Sequence, residues 1–469
     1  MNLSRGEMLR NVFWLVVPGI LTVVAVVFPP AALVPVGILA TLYIFTRPRD
    51  QVRGSGVGMA LVTLAFIGSN SAPSTLRVVA VVLATLIVVV TAALAERRHV
   101  ARGSAVPAFL AYIGYAVFIS LATLSSSIAT IAAALGAVVV IALVVRKFSS
   151  RDFVAMVRWV VPAAIAQVMI AFAELFLLAE PIWGYRNLTS AGVPVLRFNP
   201  FLADTVLRAQ GTFGHPIPFA LFFLFTFFLC LAPVLKSHGF LRIAGITAGL
   251  AGLFLSGTRS AALAGLVALV YFLISSRGIQ AKTRNVALIS AVVVTVMIGD
   301  FGIRGVIFDL LASDSLAHRV DGWTLATGLL GRGMATVLFG TGLNSEGATF
   351  AAGYLQQDGF NVIDNQWLTL FVTTGLIGLT LFFIAVLVGW LRAGRPGRAL
   401  ILAISVMFFS FDVTTWPTSF VLLAFAIALP REATLSATDD ADESARATAA
   451  ASVSRRPRTE LDPPFRHQV

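Results

Sequence analysis

The feature that most constrains this chain is a succession of apolar runs, each about the length a helix needs to cross a hydrocarbon layer, roughly 20 residues. Candidate spans are Val12–Phe28, Ala31–Phe45, Gly54–Gly68, Val78–Ala95, Val106–Ser125, Ile128–Val145, Val154–Ala179 and Pro216–Leu235. They continue with Ile243–Leu255, Ala261–Ser275, Val286–Ile298 and Trp367–Trp390, and the stretch Ala399–Leu429 reads as a short helical hairpin interrupted from Asp412 to Ser419. The expected fold class is an all-α, polytopic transmembrane helical bundle of about 12–14 spans. Composition agrees. Of 469 residues, 58% are hydrophobic and 12% charged, against about 25% charged in a soluble domain. That excludes a soluble globular protein, a disordered chain and a disulfide-built secreted fold. The one cysteine, Cys230, lies in an apolar run, so no intramolecular disulfide, zinc motif or redox pair is available.

A formal charge of +12 raises nucleic acid as a partner, but the cations flank the apolar runs, which is a topology signal. With the N-terminus placed in the cytoplasm, only Arg77, Arg186, Arg197, Arg208, Arg259, Arg304, Arg319 and Arg332 of the 34 Lys and Arg fall on the outer side. The bias predicts a multi-pass plasma-membrane protein with both termini cytoplasmic, its partner surface the lipid bilayer and no nucleic acid. The first apolar run follows Arg5 and Arg10 and continues into Pro29-Pro30 without a small-residue cleavage site, so it is expected to stay as an anchor. Three regions follow. Residues 1–179 are N-terminal transmembrane helices. Residues 180–429 form a membrane core with long outer loops at 180–215 and 299–366. Residues 430–469 are rich in Ala, Ser, Arg and Asp, too polar to fold alone, and read as a disordered cytoplasmic tail.

Every basic residue in the two outer loops and at the turn near Arg259 is an arginine. Arginine binds phosphate through a planar two-pronged fork, so this selection on the cation-poor side points to an anionic ligand. Pairing with Glu180, Asp204, Asp309, Asp314 or Asp321 is the structural alternative. Arg259 lies in Leu255-Ser-Gly-Thr-Arg-Ser260, a turn between short apolar segments, where a charge held near the bilayer is a candidate for function. Glu174, near the outer end of its span, is expected to pair with and orient an outer arginine. His215 and His318 are the outer histidines, and no metal-ligand spacing occurs, so no metal is expected. No nucleotide-binding P-loop is present, and the glycines at 331, 333, 340 and 342 read as turns around short helices.

Four stretches in order resemble the O-antigen ligase/polymerase family of bacterial membrane glycosyltransferases. They are Gln210-Gly-Thr-Phe-Gly-His-Pro216; Leu255-Ser-Gly-Thr-Arg-Ser260; Arg319-Val-Asp-Gly-Trp323 with Leu338-Phe-Gly-Thr-Gly-Leu343; and Asp364-Asn-Gln-Trp-Leu368 with Thr374-Gly-Leu-Ile-Gly-Leu379. The resemblance covers roughly residues 200–425. It implies a GT-C-like helical fold with two long extracytoplasmic loops, acting without metal or nucleotide sugar and with no cofactor. The implied donor is an undecaprenyl-diphosphate-linked glycan at the outer membrane face. The implied reaction transfers that glycan to an acceptor hydroxyl with inversion. Arg259 and Arg319 match the family's diphosphate-recognising arginines. Ligases of the family have His-Asn where this chain has Asp364-Asn365, and aspartate there is similar to polymerase-type and exopolysaccharide members. The resemblance therefore favours polymerisation of oligosaccharide repeat units, with ligase-like transfer to a lipid or protein acceptor as the alternative.

On this reading Asp364, Arg259 and Arg319 are catalytic, with Asp364 the acceptor base. Asp321 is the other candidate base, or else orients Arg319. Arg208, His215, Asp321, Trp323 and Asn365 are expected to bind substrate. A helix cap is the structural alternative for Asp364. Expected partners are the lipid-linked donor, an acceptor glycan or lipid, and a chain-length regulator or flippase. A lipid-linked sugar transporter is the competing function. It would place ionisable groups near mid-membrane with broken helices in both halves; here they cluster outside.

Overall fold

A computed structural model describes residues 48–68, 71–95, 104–126, 128–178, 180–184, 196–275, 283, 326–355 and 363–431. The described residues are 75% helical and form thirteen α-helices. Four of these, Ser74–Leu94 (α2), Ser150–Phe176 (α5), Gly239–Ser256 (α7) and Gln366–Arg392 (α11), are long and apolar enough to cross a membrane. The other helices are Arg49–Ile67 (α1), Val106–Ala122 (α3), Ile128–Val145 (α4), Pro216–Cys230 (α6), Arg259–Ile274 (α8), Met334–Phe339 (α9), Glu346–Ala351 (α10), Arg395–Met407 (α12) and Pro417–Ala428 (α13). This is the composition of an all-α membrane protein. The expected spans at Val12–Phe28, Ala31–Phe45 and Val286–Ile298, and nearly all of the tail, lie outside the described residues.

Helices that are apolar all round belong inside a bundle. α6 does this: every residue from Pro216 to Cys230 is buried, including Phe219, Phe222, Phe223, Phe225, Phe227 and Phe228. Around it pack α5, α7, α12 and α13, with α1 against α5 and α2. α2 shows the other face of the same chemistry. Val78, Val79, Val82, Leu86, Val89 and Val90 are exposed, an apolar stripe that fits lipid rather than water.

The bundle has two chemically distinct ends. At one, Ser149 caps α5 with a reciprocal Ser149–Asp152 capping box. The same Asp152 accepts from Gly54 N (3.2 Å) and pairs with Arg53 (3.5 Å), fastening the starts of α1 and α5 together. Arg392 donates to Ser104 O, and Arg395 to Phe272 O, at this same end. The other end, the mouth of the bundle, carries the connections 196–216, 256–259, 326–346 and 408–416.

Three features differ from the sequence expectation. The first outer loop is not purely helical in its surroundings: Phe198–Asn199 (β1) and Ala203–Leu207 (β2) form an antiparallel ribbon with Phe198 opposite Leu207. And the span read as Trp367–Trp390 is one element broken at Gly375, whose φ is +62°. The hairpin interruption expected at Asp412–Ser419 runs instead from Phe408 to Trp416, because Pro417 starts α13 at a position where a missing N–H costs nothing.

Candidate functional site at the mouth of the bundle

The ribbon sits on the end of α7. Asn199 is fully buried, and its Nδ2 donates to the carbonyls of Phe254 (3.1 Å) and Leu255 (2.9 Å) at the helix end, where Phe254 O also accepts from Gly257 N. Ala209 N donates to Leu255 O as well. Gly257 ends α7 in the left-handed region (φ +58°), and a Cβ there would lie 2.8 Å from Asn199 Oδ1, so the close ribbon and the turn both require glycine. Arg208 then crosses the turn. Its Nε donates to Ser256 O (3.1 Å) and its Nη2 to Thr258 Oγ1 (2.9 Å).

Arg259 follows as the first residue of α8. It is half-buried, and its guanidinium makes no hydrogen bond or ion pair with any described residue. Arg208 and Arg259, both expected to bind anion, thus divide the work. Arg208 holds the turn's shape, whereas Arg259 has its donors uncommitted.

The second stretch, Gln210–Pro216, is fastened from α1 and α5. Glu174 accepts from Gln210 N (3.2 Å) and Gly211 N (2.6 Å). Gln167 accepts from Thr212 N and donates to Thr212 Oγ1. Thr212 Oγ1 reaches Ala65 O (2.7 Å), Trp183 Nε1 reaches Thr212 O (2.9 Å), and Ser71 Oγ reaches Gly214 O (3.0 Å). The expectation that Glu174 orients an outer arginine is not what is observed among the described residues. Its carboxylate is spent on two backbone N–H groups, because Gly211 turns that backbone toward α5. His215 caps α6 through Nδ1, which accepts from Ile217 N (3.3 Å), and its ring lies 5.4 Å from Trp416.

In the fourth stretch the helix cap is Asn365, not Asp364. Asn365 Oδ1 accepts from Trp367 N (2.9 Å) and Leu368 N (3.2 Å), while its Nδ2 is buried without a partner. Asp364, half-buried, lies one residue outside the cap. Gln366 clamps the 408–416 turn: its backbone N donates to Phe408 O, its Nε2 to Thr414 Oγ1, and its Oε1 accepts from Thr414 N.

These contacts link into one rim. Arg208 bonds Thr258, Thr258 Oγ1 donates to Pro216 O (3.2 Å), His215 meets Trp416, and the turn carrying Trp416 is clamped by Gln366, two residues from Asp364. So Arg208, His215, Arg259, Asp364 and Asn365, far apart in sequence, gather at the mouth. Arg319, Asp321 and Trp323 lie outside the described residues.

The sequence reading missed two features. Asp412 is buried in the 408–416 turn, its Oδ1 accepting from Thr414 N (3.0 Å), Thr414 Oγ1 (2.9 Å) and Thr415 N (3.3 Å). Burial raises its pKa to about 7, against which those hydrogen bonds pull down and to which the nearby Glu346 charge adds. Its signal was an acid inside an apolar stretch, read only as an interruption. The second is Arg332, counted among the anion-seeking arginines. It is buried, and its guanidinium donates to Leu329 O, Phe371 O and Val372 O. The last two carbonyls are freed where α11 breaks, so the cation satisfies a helix C-terminus rather than a ligand.

No protein-family model and no curated protein matches the chain.

Proposed function

We propose that this chain is a membrane glycosyltransferase that polymerises undecaprenyl-diphosphate-linked oligosaccharide repeat units on the outer face of the plasma membrane, in surface or exopolysaccharide synthesis. The observation that carries the reading is the uncommitted Arg259 guanidinium at the start of α8, on the same rim as Asp364. A rim of this kind suits a reaction in which a diphosphate leaves. As the bond between the sugar's anomeric carbon and the diphosphate oxygen breaks, negative charge collects on the diphosphate. A pre-aimed guanidinium stabilises that charge without reorganisation. The acceptor hydroxyl attacks from the opposite face, which inverts the anomeric centre, and Asp364 takes its proton. Arg319 is the expected second clamp and His215, Arg208, Asp321, Trp323 and Asn365 the donor and acceptor contacts. In this scheme Arg208 acts through the turn it holds. Both termini are placed in the cytoplasm, with the mouth outside, and a chain-length regulator or flippase is the expected protein partner.

A transporter of lipid-linked sugars is the second reading that a specific observation addresses, since α11 is a broken helix. The break offers a ligand little. Its carbonyls at Val372 and Thr373 already accept from Thr341 N (3.1 Å) and Gly342 N (2.7 Å), besides Arg332.

The test is deletion of the gene with mass-spectrometric profiling of lipid-linked sugars and surface polymer, complemented by wild type, Arg259→Ala and Asp364→Ala. Single repeat units accumulating without long polymer support polymerisation. Long lipid-linked polymer that never reaches a final acceptor supports the ligase alternative. Full complementation by both variants, or no change in either pool, overturns the catalytic reading.

A further inference from the structure

The end of the bundle opposite the mouth holds a second cationic group that the proposed reaction does not use. α5 and α7 pack side by side, and Arg158, in the first third of α5, lies against His238 at the start of α7, so both helices begin at this end. The position of Gly245 on α7 fixes their register: a Cβ there would meet Cys230 Sγ, and Val161 Cγ2 at 2.8 Å. Arg242 is one turn before Gly245, and Arg158 one turn before Val161. The two arginines therefore stand at the same level on adjacent helices. His238 stands between them, its Nε2 3.4 Å from Arg158 Nη2 and its Nδ1 3.1 Å from Ser237 Oγ.

Arg242 is the decisive member. Its Nε is buried without a hydrogen-bond partner, and it forms no ion pair with any described residue. Among the described residues, Asp152 is engaged by Arg53 and the Ser149 cap, and Asp50 by Arg151 at 2.7 Å. A buried guanidinium donor left unsatisfied on Arg242, at the level of a second arginine, calls for an acceptor with several oxygens, which a phosphate supplies. The surroundings say where that phosphate comes from. Phe240 and Ile243 flank Arg242 in sequence and are 53% and 66% exposed, and Leu250 and Phe254 continue the same apolar stripe along α7. A headgroup on Arg242 would lay its acyl chains on that stripe.

We propose that Arg242, Arg158 and His238 form a binding site for the phosphate headgroup of an anionic membrane lipid, at the end of the bundle away from the mouth. Basic clusters between membrane helices are suited to such headgroups. The site does not depend on the glycosyltransferase reading.

The full chain, reconstituted in nanodiscs of phosphatidylcholine with phosphatidylglycerol, would be examined by native mass spectrometry for retained lipid. Wild type should retain phosphatidylglycerol over phosphatidylcholine, and Arg242→Gln and Arg158→Gln should each weaken that preference about fivefold. Arg392→Gln, which removes a charge from the same end where the guanidinium already bonds Ser104 O, should not. Thermal unfolding in zwitterionic micelles shows that each variant is folded. Inorganic phosphate is the competing probe, and should leave retention unchanged at millimolar levels. Equal retention by wild type and both variants overturns the site. A loss shared by Arg392→Gln reduces it to general surface charge, and displacement by inorganic phosphate makes it a soluble-anion site instead; either result overturns the proposal.

Discussion

Arg208 Nη2 donates to Thr258 Oγ1 over 2.9 Å, and that hydroxyl in turn donates to Pro216 O over 3.2 Å. Arg208, the residue just after the ribbon, thereby ties together the turn that presents Arg259 and the start of the buried helix α6. The two neighbouring arginines should therefore fail differently. Arg208→Ala should destabilise the protein by about 2 kcal/mol, the scale of charge-assisted hydrogen bonds lost from a partly buried turn. Arg259→Ala should change stability by no more than about 0.5 kcal/mol while abolishing polymer formation. Thermal unfolding in detergent, read beside the polymer assay, separates them. A destabilised Arg259→Ala would make that residue structural.

Gly375 and Gly340 meet back to back where α11 breaks. Their φ values are +62° and +82°, and a Cβ on either would run into the backbone of the other's segment. Gly375→Ala should cost about 3 kcal/mol or more, from left-handed strain and overpacking together. Protease resistance of the folded protein measures this. A tolerated alanine would mean that the 338–342 segment is free to move away.

Arg332 belongs to the same construction. Arg332→Gln should destabilise by about 3 kcal/mol, because carbonyls at a helix end are left unsatisfied in a buried setting. Loss of activity should follow loss of fold in this variant. Inactivity with an unchanged unfolding temperature would instead place Arg332 in the donor site.

Asp412 predicts a pH signature. With its pKa raised by burial to about 7, the folded chain holds a proton that the unfolded chain releases near the ordinary carboxylate value. Between those two values the native state binds more protons, so stability falls as pH rises through the window, and the contribution is full below it. Asp412→Asn should flatten that slope. Unfolding midpoints of wild type and variant, measured across that window, check this. Parallel slopes would remove Asp412 as the titrating group.

Asn365 and Asp364 are adjacent but should separate. Asn365→Ala removes a helix cap and should cost about 1 kcal/mol. Asp364→Ala leaves that cap intact and should remove activity in a protein that still folds.

Much of the architecture was legible because burial in a membrane writes itself into composition. Apolar runs gave the described helices to within a few residues at most ends, and arginines without lysines marked the stretches that now form the mouth. Some local chemistry was present in the sequence but passed over: Pro417 starts a helix by backbone preference, inside the stretch read as an interruption from Asp412 to Ser419. Other assignments turned on partners far away in the chain. Arg208, Arg259 and Arg332 are one residue type in similar loops. Only the fold reveals that Arg208 bonds Thr258, that Arg332 bonds the broken end of α11, and that Arg259 bonds no described residue. Glu174 was read as an arginine's partner, yet it holds the backbone at Gln210 and Gly211. Asp364 and Asn365 offer nearly the same side chain to a helix start, and only the fold shows that Asn365 caps it. Which segments leave water is written in each segment's own composition, since transfer free energy is a property of the segment alone. The tertiary structure decided which polar groups are spent on the fold and which remain for chemistry, since a hydrogen bond depends on where its partner is brought to lie.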